Sequence, residues 1–427
     1  MTTTTSAGQR LLEQAKAAKA ASRQLAKAGT APKNKALLKI ADNLKTREEE
    51  ILAANEQDHA DSKRGGMSEA MLDRLRLDPK RLADQADDVR RIADLPDPVG
   101  EVFDARTLPN GLRIGKRRVP LGVLATIYES RPNVTIDISA LCLKSGNAVI
   151  LRGGKEAFHS NKALATAVRD AVVAADLPGD TVQFVDSTDR ELVNELLKMR
   201  EYIDLMVPRG GADLIHFIAD NATMPVLAGG IGVCHTYVDA SANIEMAKNI
   251  VFNAKVQRPS VCNAMDTLII HKDIAAKALP VIGKAWAAAG VEMRCDAKSL
   301  AVLKSVAPAK VKPAVDSDFG FEFLALIAFV KVVDSLDEAI AFIERYGSGH
   351  SEAIVTSDYR AANKFVDEVD AGSVYVNAST RFTDGGQFGL GAEVGISTQK
   401  FHARGPMGLR EITSYKWTVF GDGHVRP

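Results

Sequence analysis

From residue 121 onward the chain alternates short apolar runs with helical stretches, and this rhythm constrains the fold more than any other feature. Residues 121–127 and 148–151 are apolar runs of a length typical of buried strands, and residues 160–175 carry apolar side chains at helical spacing. Residues 181–185 and 202–207 continue the series as further strands. Alternation of strand, helix and strand predicts a parallel, doubly wound α/β sheet.

A second series of the same kind follows between residues 223 and 377, which predicts a second α/β domain. The length of 427 residues agrees with this, because a chain of that size exceeds one hydrophobic core. The 54 basic and 54 acidic residues balance, so the charge gives no reason to expect nucleic acid or an anionic membrane as partner. No apolar stretch approaches the ~20 residues of a membrane helix.

The four cysteines, at positions 142, 234, 262 and 295, are widely spaced and form no C-x-x-C pair. This spacing argues against a zinc site or any other metal site of that kind, and against a disulfide framework, and it suits a reducing cytosol. The first residues lack the basic and apolar regions of a signal peptide. We therefore expect a cytoplasmic protein without a metal.

Residues 101–118 predict a β-hairpin, because Asn110-Gly111 lies between two alternating segments. A lone hairpin with exposed edges is rarely stable in water. We interpret it as an arm that adds to the sheet of another subunit in a homo-oligomer. The alternative is an ordinary hairpin packed on its own domain.

Two glycine pairs with basic neighbours follow predicted strands, LRGGK at residues 151–155 and PRGG at residues 208–211. Ligands of doubly wound sheets lie beyond the carboxyl ends of the strands. Neither segment is a P-loop, since Val149 and Glu156 stand where glycine and Ser or Thr would be required, and no G-x-G-x-x-G follows the first strand. The segments suit a phosphate-bearing cofactor. Tight turns with incidental basic residues fit the spacing equally well.

Cys262 is the candidate nucleophile. It follows Arg258-Pro259-Ser260 and precedes an apolar run at residues 268–270. Pro259 should end the preceding helix, which leaves the thiol in a turn. Backbone N–H groups and a nearby guanidinium in such a turn favour the thiolate. The alternative is an inert cysteine that fills space in the core, which is also our interpretation of Cys234.

Several long and unusual motifs occur together in this chain. They are YESRPNV at residues 128–134, GNAVILRGGKE at 146–156, PRGG at 208–211, GGIGVCH at 229–235, QRPSVCN at 257–263 and YVNASTRFTDGGQFG at 375–389. With them the chain resembles the γ-glutamyl phosphate reductases, a branch of the aldehyde dehydrogenase superfamily, from about residue 36 to residue 417. One departure is Phe342, where that family usually has a histidine, although the nearby His350 is retained.

The resemblance implies an aldehyde-dehydrogenase-like α/β fold of two doubly wound domains and a small β arm. We expect an NADP-binding domain at residues 1–100 and 119–232 and a catalytic domain at residues 233–400. Residues 101–118 and 401–427 would form the oligomerisation arm and tail.

The resemblance also implies NADPH-dependent reduction of L-glutamyl 5-phosphate to L-glutamate 5-semialdehyde and phosphate, a step of proline biosynthesis. Cys262 would attack the acyl phosphate and form a thioester, with the oxyanion held by its own backbone N–H and the Asn133 amide. The residues expected at NADP(H) are Arg152, Lys155, Pro208, Arg209, Gly210, Gly211, Gly230 and Glu322. Those expected at the substrate are Arg131, Arg258, Asn263, His350, Ser379, Thr380 and Arg381, with Arg258 and Arg381 ranked first.

Two other functions remain open at this point. Hydrolytic aldehyde dehydrogenases need a glutamate base for water, but Ala228 precedes the Gly229-Gly230 pair in this chain. A catalytically silent relative should have lost Cys262 or the glycine-rich loop at residues 379–391, and both are present. Transient contact with a glutamate 5-kinase, which would hand over the labile acyl phosphate, is a further hypothesis.

Overall fold

The computed structural model describes residues 6–227, 229 and 231–426. In chain order the helices are α1 Ala7–Leu25, α2 Thr30–Thr46, α3 Glu48–Arg64, α4 Glu69–Leu75, α5 Pro79–Asp94, α6 Asn133–Lys144, α7 Phe158–Ala174, α8 Glu191–Leu196, α9 Ala212–Asn221, α10 Ile244–Val256, α11 Lys272–Ala288, α12 Ala297–Leu303, α13 Leu336–Tyr346 and α14 Tyr359–Glu368. The strands are β1 Val102–Thr107, β2 Arg113–Pro120, β3 Val123–Tyr128, β4 Ala148–Gly153, β5 Val182–Phe184, β6 Leu205–Arg209, β7 Cys234–Val238, β8 Met265–His271, β9 Glu292–Cys295, β10 Val311–Pro313, β11 Ile327–Val333, β12 Ser351–Val355, β13 Ser373–Val376, β14 Ile396–Ser397, β15 Gly405–Pro406 and β16 Thr413–Phe420.

The chain divides into two compact units. Unit 1 comprises Met1–Gly229, Gly389–Gly395 and Pro406–Pro427, and unit 2 comprises Gly230–Phe388 and Ile396–Gly405. Of the expected arm and tail, residues 101–118 and 406–427 belong to unit 1 and residues 401–405 to unit 2. The finer domain bounds drawn from the sequence remain predictions.

Unit 1 contains a four-stranded parallel sheet in the order β5-β4-β3-β6. Every residue of β3 and β4 is buried. Strands covered on both faces read as continuous apolar runs, which explains why the sequence pattern was so clear. The predicted parallel α/β sheet is confirmed.

Helices α3 and α4 were not predicted, and α3 shows why. Its buried positions are taken by Ile51, Asn55 and Asp58, so the apolar stripe that signals a helix is almost missing. Asn55 instead donates to the Leu75 carbonyl oxygen and accepts from the Leu77 N–H. Asp58 accepts hydrogen bonds from the backbone N–H and the hydroxyl of Ser160, in the first turn of α7. These hydrogen bonds anchor α3 in place of apolar contacts.

The predicted hairpin is confirmed. Strands β1 and β2 pair antiparallel, and β2 pairs on its other side with β16, which gives a three-stranded sheet. The turn between β1 and β2 closes with a hydrogen bond from the Leu108 N–H to the Leu112 carbonyl oxygen. Gly111 has φ +90°, a left-handed conformation that favours glycine at this place.

Unit 2 contains a seven-stranded parallel sheet in the order β10-β9-β11-β8-β7-β12-β13. Residues of β8 alternate between its two faces: Leu268 and Ile270 belong to one apolar cluster, and Ile269 belongs to the other. Both faces of the sheet are therefore buried, as expected for a doubly wound domain.

None of the helices formed by the described residues has the length and apolar character that a membrane crossing requires. The same residues include no group of three or more His, Cys, Asp or Glu side chains arranged to hold a metal ion.

Candidate active site

Cys262 lies in a turn between two packed elements of unit 2, as the sequence predicts. Helix α10 ends at Val256, three residues before Pro259, and β8 begins at Met265. Cys262 is partly exposed, whereas the other three cysteines are buried, and none of the four forms a disulfide. Cys262 is therefore the most accessible thiol of the described residues.

Two guanidinium groups accompany this turn. Arg258 is exposed, and half-buried Arg381 donates from Nε to the Gln257 side chain at 2.7 Å. Burial and, next, the like charge of Arg258 lower the pKa of Arg381, while Asp384 and Cys262 act in the opposite direction. Two cations that repel one another beside a thiol favour an anionic ligand.

Asn263 and Thr380 hold the turn together. Asn263 is buried, and its Nδ2 donates to the Thr383 carbonyl oxygen at 2.9 Å. The backbone carbonyl oxygen of Asn263 accepts a hydrogen bond from Thr380 Oγ1 at 2.8 Å. Ser379 Oγ accepts the Arg381 N–H at 3.3 Å and so begins a short 3-10 turn. A role of these residues at the substrate remains a prediction.

His350 is buried at the start of β12. Its Nδ1 lies 2.8 Å from Ser351 Oγ, which in turn lies 2.6 Å from Thr383 Oγ1. The structure therefore places His350 in the hydrogen-bonded network that includes the glycine-rich loop. Direct contact of His350 with substrate remains a prediction.

The carboxyl ends of the unit 1 strands carry the two glycine-rich segments. Arg152 is buried, and its guanidinium donates to the carbonyl oxygens of Gly153, Thr188 and Asp189 at 3.2–3.3 Å. Burial lowers the pKa of this guanidinium. Arg152 thus supports the loop beyond β5, and a contact with the cofactor remains a prediction.

The second segment leads from β6 into α9. Pro208 is buried in β6, and Gly210 packs so closely on Glu129 that a Cβ would lie 2.5 Å from its carboxylate. Gly211 donates its N–H to the same carboxylate, yet a Cβ on Gly211 would meet no atom within 4 Å. Open space therefore borders the first turn of α9.

The unit 1 residues fit a phosphate-bearing cofactor. The open first turn of α9 presents backbone N–H groups, and Lys155 is exposed at the end of β4. Arg209 ends β6 and is half-buried. Helix N-termini and cations at this edge of a parallel sheet are where such folds bind phosphates.

In unit 2, Glu322 Oε1 accepts the Gly232 N–H at 3.1 Å, and its predicted place at a ribose is untested. Gly230, also predicted at the cofactor, lies outside the described residues, and so does Ala228.

Asn133 opens α6 in unit 1 and is exposed. Its Nδ2 donates to Asp137 Oδ2 at 2.9 Å, and its carbonyl oxygen accepts from Gln85 Nε2. Arg131, two residues earlier, is half-buried. The oxyanion role of Asn133 and the substrate role of Arg131 remain predictions.

Asp137 should give the stability of the protein a pH dependence. Burial raises the pKa of Asp137 to about 7, although the Asn133 hydrogen bond opposes this. An unfolded aspartate has a pKa of ~3.9. Between about pH 4 and pH 7 the folded state thus holds a proton that the unfolded chain has released, and the free energy of unfolding falls as the pH rises. Asp137→Asn should remove this decline, so that between pH 4 and pH 8 the variant gains up to ~4 kcal/mol of stability relative to the wild type.

Urea unfolding of both proteins at pH 4 and pH 8 measures the difference. Asp87→Asn, an exposed change on α5, is the control and should follow the wild type at both pH values. Parallel pH profiles of the Asp137→Asn variant and the wild type would contradict the proton uptake at Asp137.

The chain is similar to known proteins over nearly its whole length. A family model described as the aldehyde dehydrogenase family matches residues 1–299 and 321–418. The chain is 61% identical over 414 residues to the γ-glutamyl phosphate reductase of Dehalococcoides mccartyi, which covers 97% of this chain and 98% of that protein. It is 54% identical over 410 residues to the enzyme of the same name from Escherichia coli O81, covering 96% and 98%.

The chain belongs to the γ-glutamyl phosphate reductase branch of the aldehyde dehydrogenase family. The crystal structure of γ-glutamyl phosphate reductase from Thermotoga maritima is similar to it with a TM-score of 0.93 and 50% identity, covering 98% of this chain and 100% of that one. An acetylating aldehyde dehydrogenase from Geobacillus thermoglucosidasius, at 18% identity and a TM-score of 0.72, shares the fold. The expected fold class is confirmed. Membership in this family implies an oxidoreductase with a nicotinamide cofactor and a small-molecule substrate.

Sequence reasoning missed three side chains around the Cys262 turn. The sequence predicts Cys234 only as a core residue, but its Sγ donates a hydrogen bond of 3.2 Å to the Cys262 carbonyl oxygen. Lys255 and Asp266 form a buried ion pair that closes the turn at its base. An aspartate as the second residue of the apolar strand β8 was the available signal for that pair, because buried charges require partners.

Proposed function

We propose that this chain reduces L-glutamyl 5-phosphate with NADPH to L-glutamate 5-semialdehyde and inorganic phosphate, in proline biosynthesis from glutamate. The observation that carries the proposal is the partly exposed Cys262 thiol, with Arg258 in the same turn and Arg381 hydrogen-bonded to Gln257 beside it. The names of relatives at 54–61% identity over nearly the whole chain support the same reaction.

The first step is attack of the Cys262 sulfur on the acyl carbon. The sulfur–carbon bond forms, the carbon–oxygen bond to phosphate breaks, and phosphate leaves with the electron pair. Arg258 and Arg381 suit the two anionic groups of the substrate, its phosphate and its α-carboxylate. The Cys262 N–H and the Asn133 amide are the proposed donors to the oxyanion.

The thioester on Cys262 is then reduced, and the aldehyde leaves as the thiolate is restored. The nicotinamide cofactor supplies the hydride of this step when it is bound. Lys155, Arg209 and the first turn of α9 would hold its phosphates, and Glu322 would hold a ribose hydroxyl. A cation such as Lys155 near the adenosine end favours NADPH over NADH, because it can pair with the additional phosphate.

A reductive assay tests this proposal. A glutamate 5-kinase with ATP generates the labile acyl phosphate in place, and NADPH oxidation, semialdehyde and released phosphate are measured together. The proposal predicts equal amounts of all three above the spontaneous phosphate release seen without this enzyme. Phosphate release without NADPH oxidation would show a hydrolase instead.

A hydrolytic aldehyde dehydrogenase is the second candidate within the family. Such an enzyme needs a carboxylate base for water upstream of the nucleophile. The sequence contains no Asp or Glu between Asp220 and Asp239, the stretch around the Gly229-Gly230 pair. This absence favours phosphate over water as the acyl acceptor.

The three-stranded arm supports a homo-oligomer. Tyr415, Trp417 and Val419 point to one face of β16, and each is about half exposed. The Lys116 ammonium lies over the Tyr415 and Trp417 rings at 4.7 and 5.2 Å. Both β1 and β16 are edge strands with backbone groups available for pairing. A second copy of this chain is the proposed occupant of this face.

Trp417→Glu should shift the protein to monomers, because a carboxylate on this face cannot be buried against a second copy without a large desolvation cost. Light scattering coupled to size exclusion measures the mass. Tyr359→Glu changes an even more exposed aromatic residue on α14 and should leave the mass unchanged. An unchanged oligomer in the Trp417→Glu variant would contradict the role of this face.

We also propose a cytoplasmic location and transient docking of the upstream glutamate 5-kinase. Four cysteines without a disulfide suit a reducing compartment. The lability of an acyl phosphate favours direct transfer between the two enzymes.

A further inference from the structure

Cys234 contacts the backbone of Cys262 from the neighbouring strand β7. Its side chain is fully buried, and its Sγ donates a hydrogen bond of 3.2 Å to the Cys262 carbonyl oxygen. Burial raises the pKa of the Cys234 thiol well above its usual range, so the thiol stays protonated and remains a donor. This thiol is thus a hydrogen-bonding group and more than a small apolar filler.

Gly232, two residues earlier, also presses on Cys262. A Cβ placed on Gly232 would lie 1.9 Å from the Cys262 carbonyl oxygen and 2.6 Å from its Cα. Only glycine permits so close an approach of two backbone segments. The Gly232 N–H donates a hydrogen bond of 3.1 Å to Glu322 Oε1. The segment from Gly232 to Cys234 therefore restricts where the Cys262 carbonyl can lie.

The backbone carbonyl of Asn263, the next one in the turn, also accepts a hydrogen bond from a side chain. Thr380 Oγ1 donates to the Asn263 carbonyl oxygen at 2.8 Å, and Asn263 Nδ2 donates to the Thr383 carbonyl oxygen. Two successive carbonyls, those of Cys262 and Asn263, thus accept from side chains on two different elements. Rotation of the Cys262–Asn263 peptide would break the hydrogen bond from Cys234, and rotation of the Asn263–Ala264 peptide would break the one from Thr380.

A chain of buried polar side chains leads from Cys234 to Thr383. Cys234 Sγ lies 3.7 Å from His350 Nδ1, which lies 2.8 Å from Ser351 Oγ. Ser351 Oγ lies 2.6 Å from Thr383 Oγ1. The network returns to the nucleophile turn through the Asn263–Thr383 hydrogen bond. Such buried networks rigidify the groups that they join.

We propose that Cys234 is a positioning residue for the nucleophile: its thiol holds the carbonyl of the Cys262–Asn263 peptide and thereby fixes the backbone at Cys262, from which the reactive sulfur extends. The proposal rests on the proposed function of Cys262. Without the donor, the carbonyl oxygen keeps its full partial negative charge beside the nucleophile, which disfavours the thiolate. The peptide would also be free to turn away from the orientation that attack requires.

The test compares Cys234→Ala and Cys234→Ser with the wild type. Serine retains a donor, whereas alanine does not. Cys295→Ala is the matched control, because Cys295 is also buried in unit 2 but lies on β9 with its Sγ near the Met293 carbonyl oxygen. If the alanine variant does not fold, Cys234→Val fills similar space without a donor.

Two readouts are used: semialdehyde oxidation with NADP⁺ and phosphate, and alkylation of Cys262 by iodoacetamide from pH 6 to pH 10, followed by peptide mass spectrometry. We expect Cys234→Ala to lower kcat about five- to tenfold, the loss of one hydrogen bond, with KM values unchanged. Its alkylation should slow and shift to higher pH. The serine variant should recover both, and Cys295→Ala should match the wild type.

Wild-type kcat and alkylation in the Cys234→Ala variant would overturn the proposal. So would an equal loss in the Cys295→Ala variant, or a serine variant no better than the alanine variant. If the wild type itself does not oxidise the semialdehyde, the proposed function fails, but the alkylation profiles still decide whether Cys234 positions Cys262.

Discussion

Replacing Cys262 with alanine should lower the rate of the reductive and the oxidative reaction by at least ~10³-fold, because no other group can form the thioester. The other three cysteines are buried and do not offer a substitute. NADPH binding should be unchanged, since the predicted phosphate-binding residues lie in unit 1. Steady-state rates and a separate titration of NADPH fluorescence measure the two effects.

Cys295→Ala serves as the matched control for this prediction as well. It removes a buried thiol from the same unit and should leave both rates near those of the wild type. A Cys262→Ala variant with substantial activity would exclude covalent catalysis through this residue.

Asp266→Asn should destabilise the protein by about 3–5 kcal/mol at pH 8, because it leaves the Lys255 ammonium buried without its counter-ion. Lys255 is fully buried on α10, and its Nζ lies 3.2 Å from Asp266 Oδ1 on β8. Burial raises the pKa of Asp266 to about 6, so the carboxyl is ionised at pH 8. Asp266 Oδ1 also accepts a hydrogen bond from the backbone N–H of Phe323, the residue that follows Glu322.

The pair thus joins the helix before the Cys262 turn to the strand after it. We expect Asp266→Asn to lower kcat together with the urea midpoint. Lys255→Met/Asp266→Leu, which removes both charges, should regain much of the stability. Asp334→Asn breaks the exposed Lys298–Asp334 pair of unit 2 and should leave the midpoint unchanged. Equal effects of the buried and exposed changes would contradict the role of burial.

The sequence predicted the elements whose signal is local. Both parallel sheets were visible, because strands buried on two faces are continuous apolar runs. The arm was visible because Asn110-Gly111 specifies a hairpin turn. Helix α3 was not, since Asn55 and Asp58 occupy its buried face through hydrogen bonds. The strand order of unit 2 depends on long-range pairing, which local patterns do not contain.

At the candidate active site, too, the features with a local sequence signal were predictable and the long-range contacts were not. A proline and an apolar run predicted the turn of Cys262 and the end of α10. The contacts of Asn263 and Thr380 with one another could not be predicted, since 117 residues separate them along the chain. Cys234 illustrates the limit most clearly. Its burial was expected from its neighbours, but its hydrogen bond to Cys262 depends on how β7 packs against the turn.

The phosphate dependence of semialdehyde oxidation by the wild type, measured as NADP⁺ reduction, tests directly whether this chain is a phosphorylating reductase. If phosphate is the acyl acceptor for the Cys262 thioester, NADP⁺ reduction should be absent without inorganic phosphate and should saturate as phosphate is added. An equal rate without phosphate would mean that water attacks the thioester, and the assignment of this chain as a phosphorylating reductase would then be wrong.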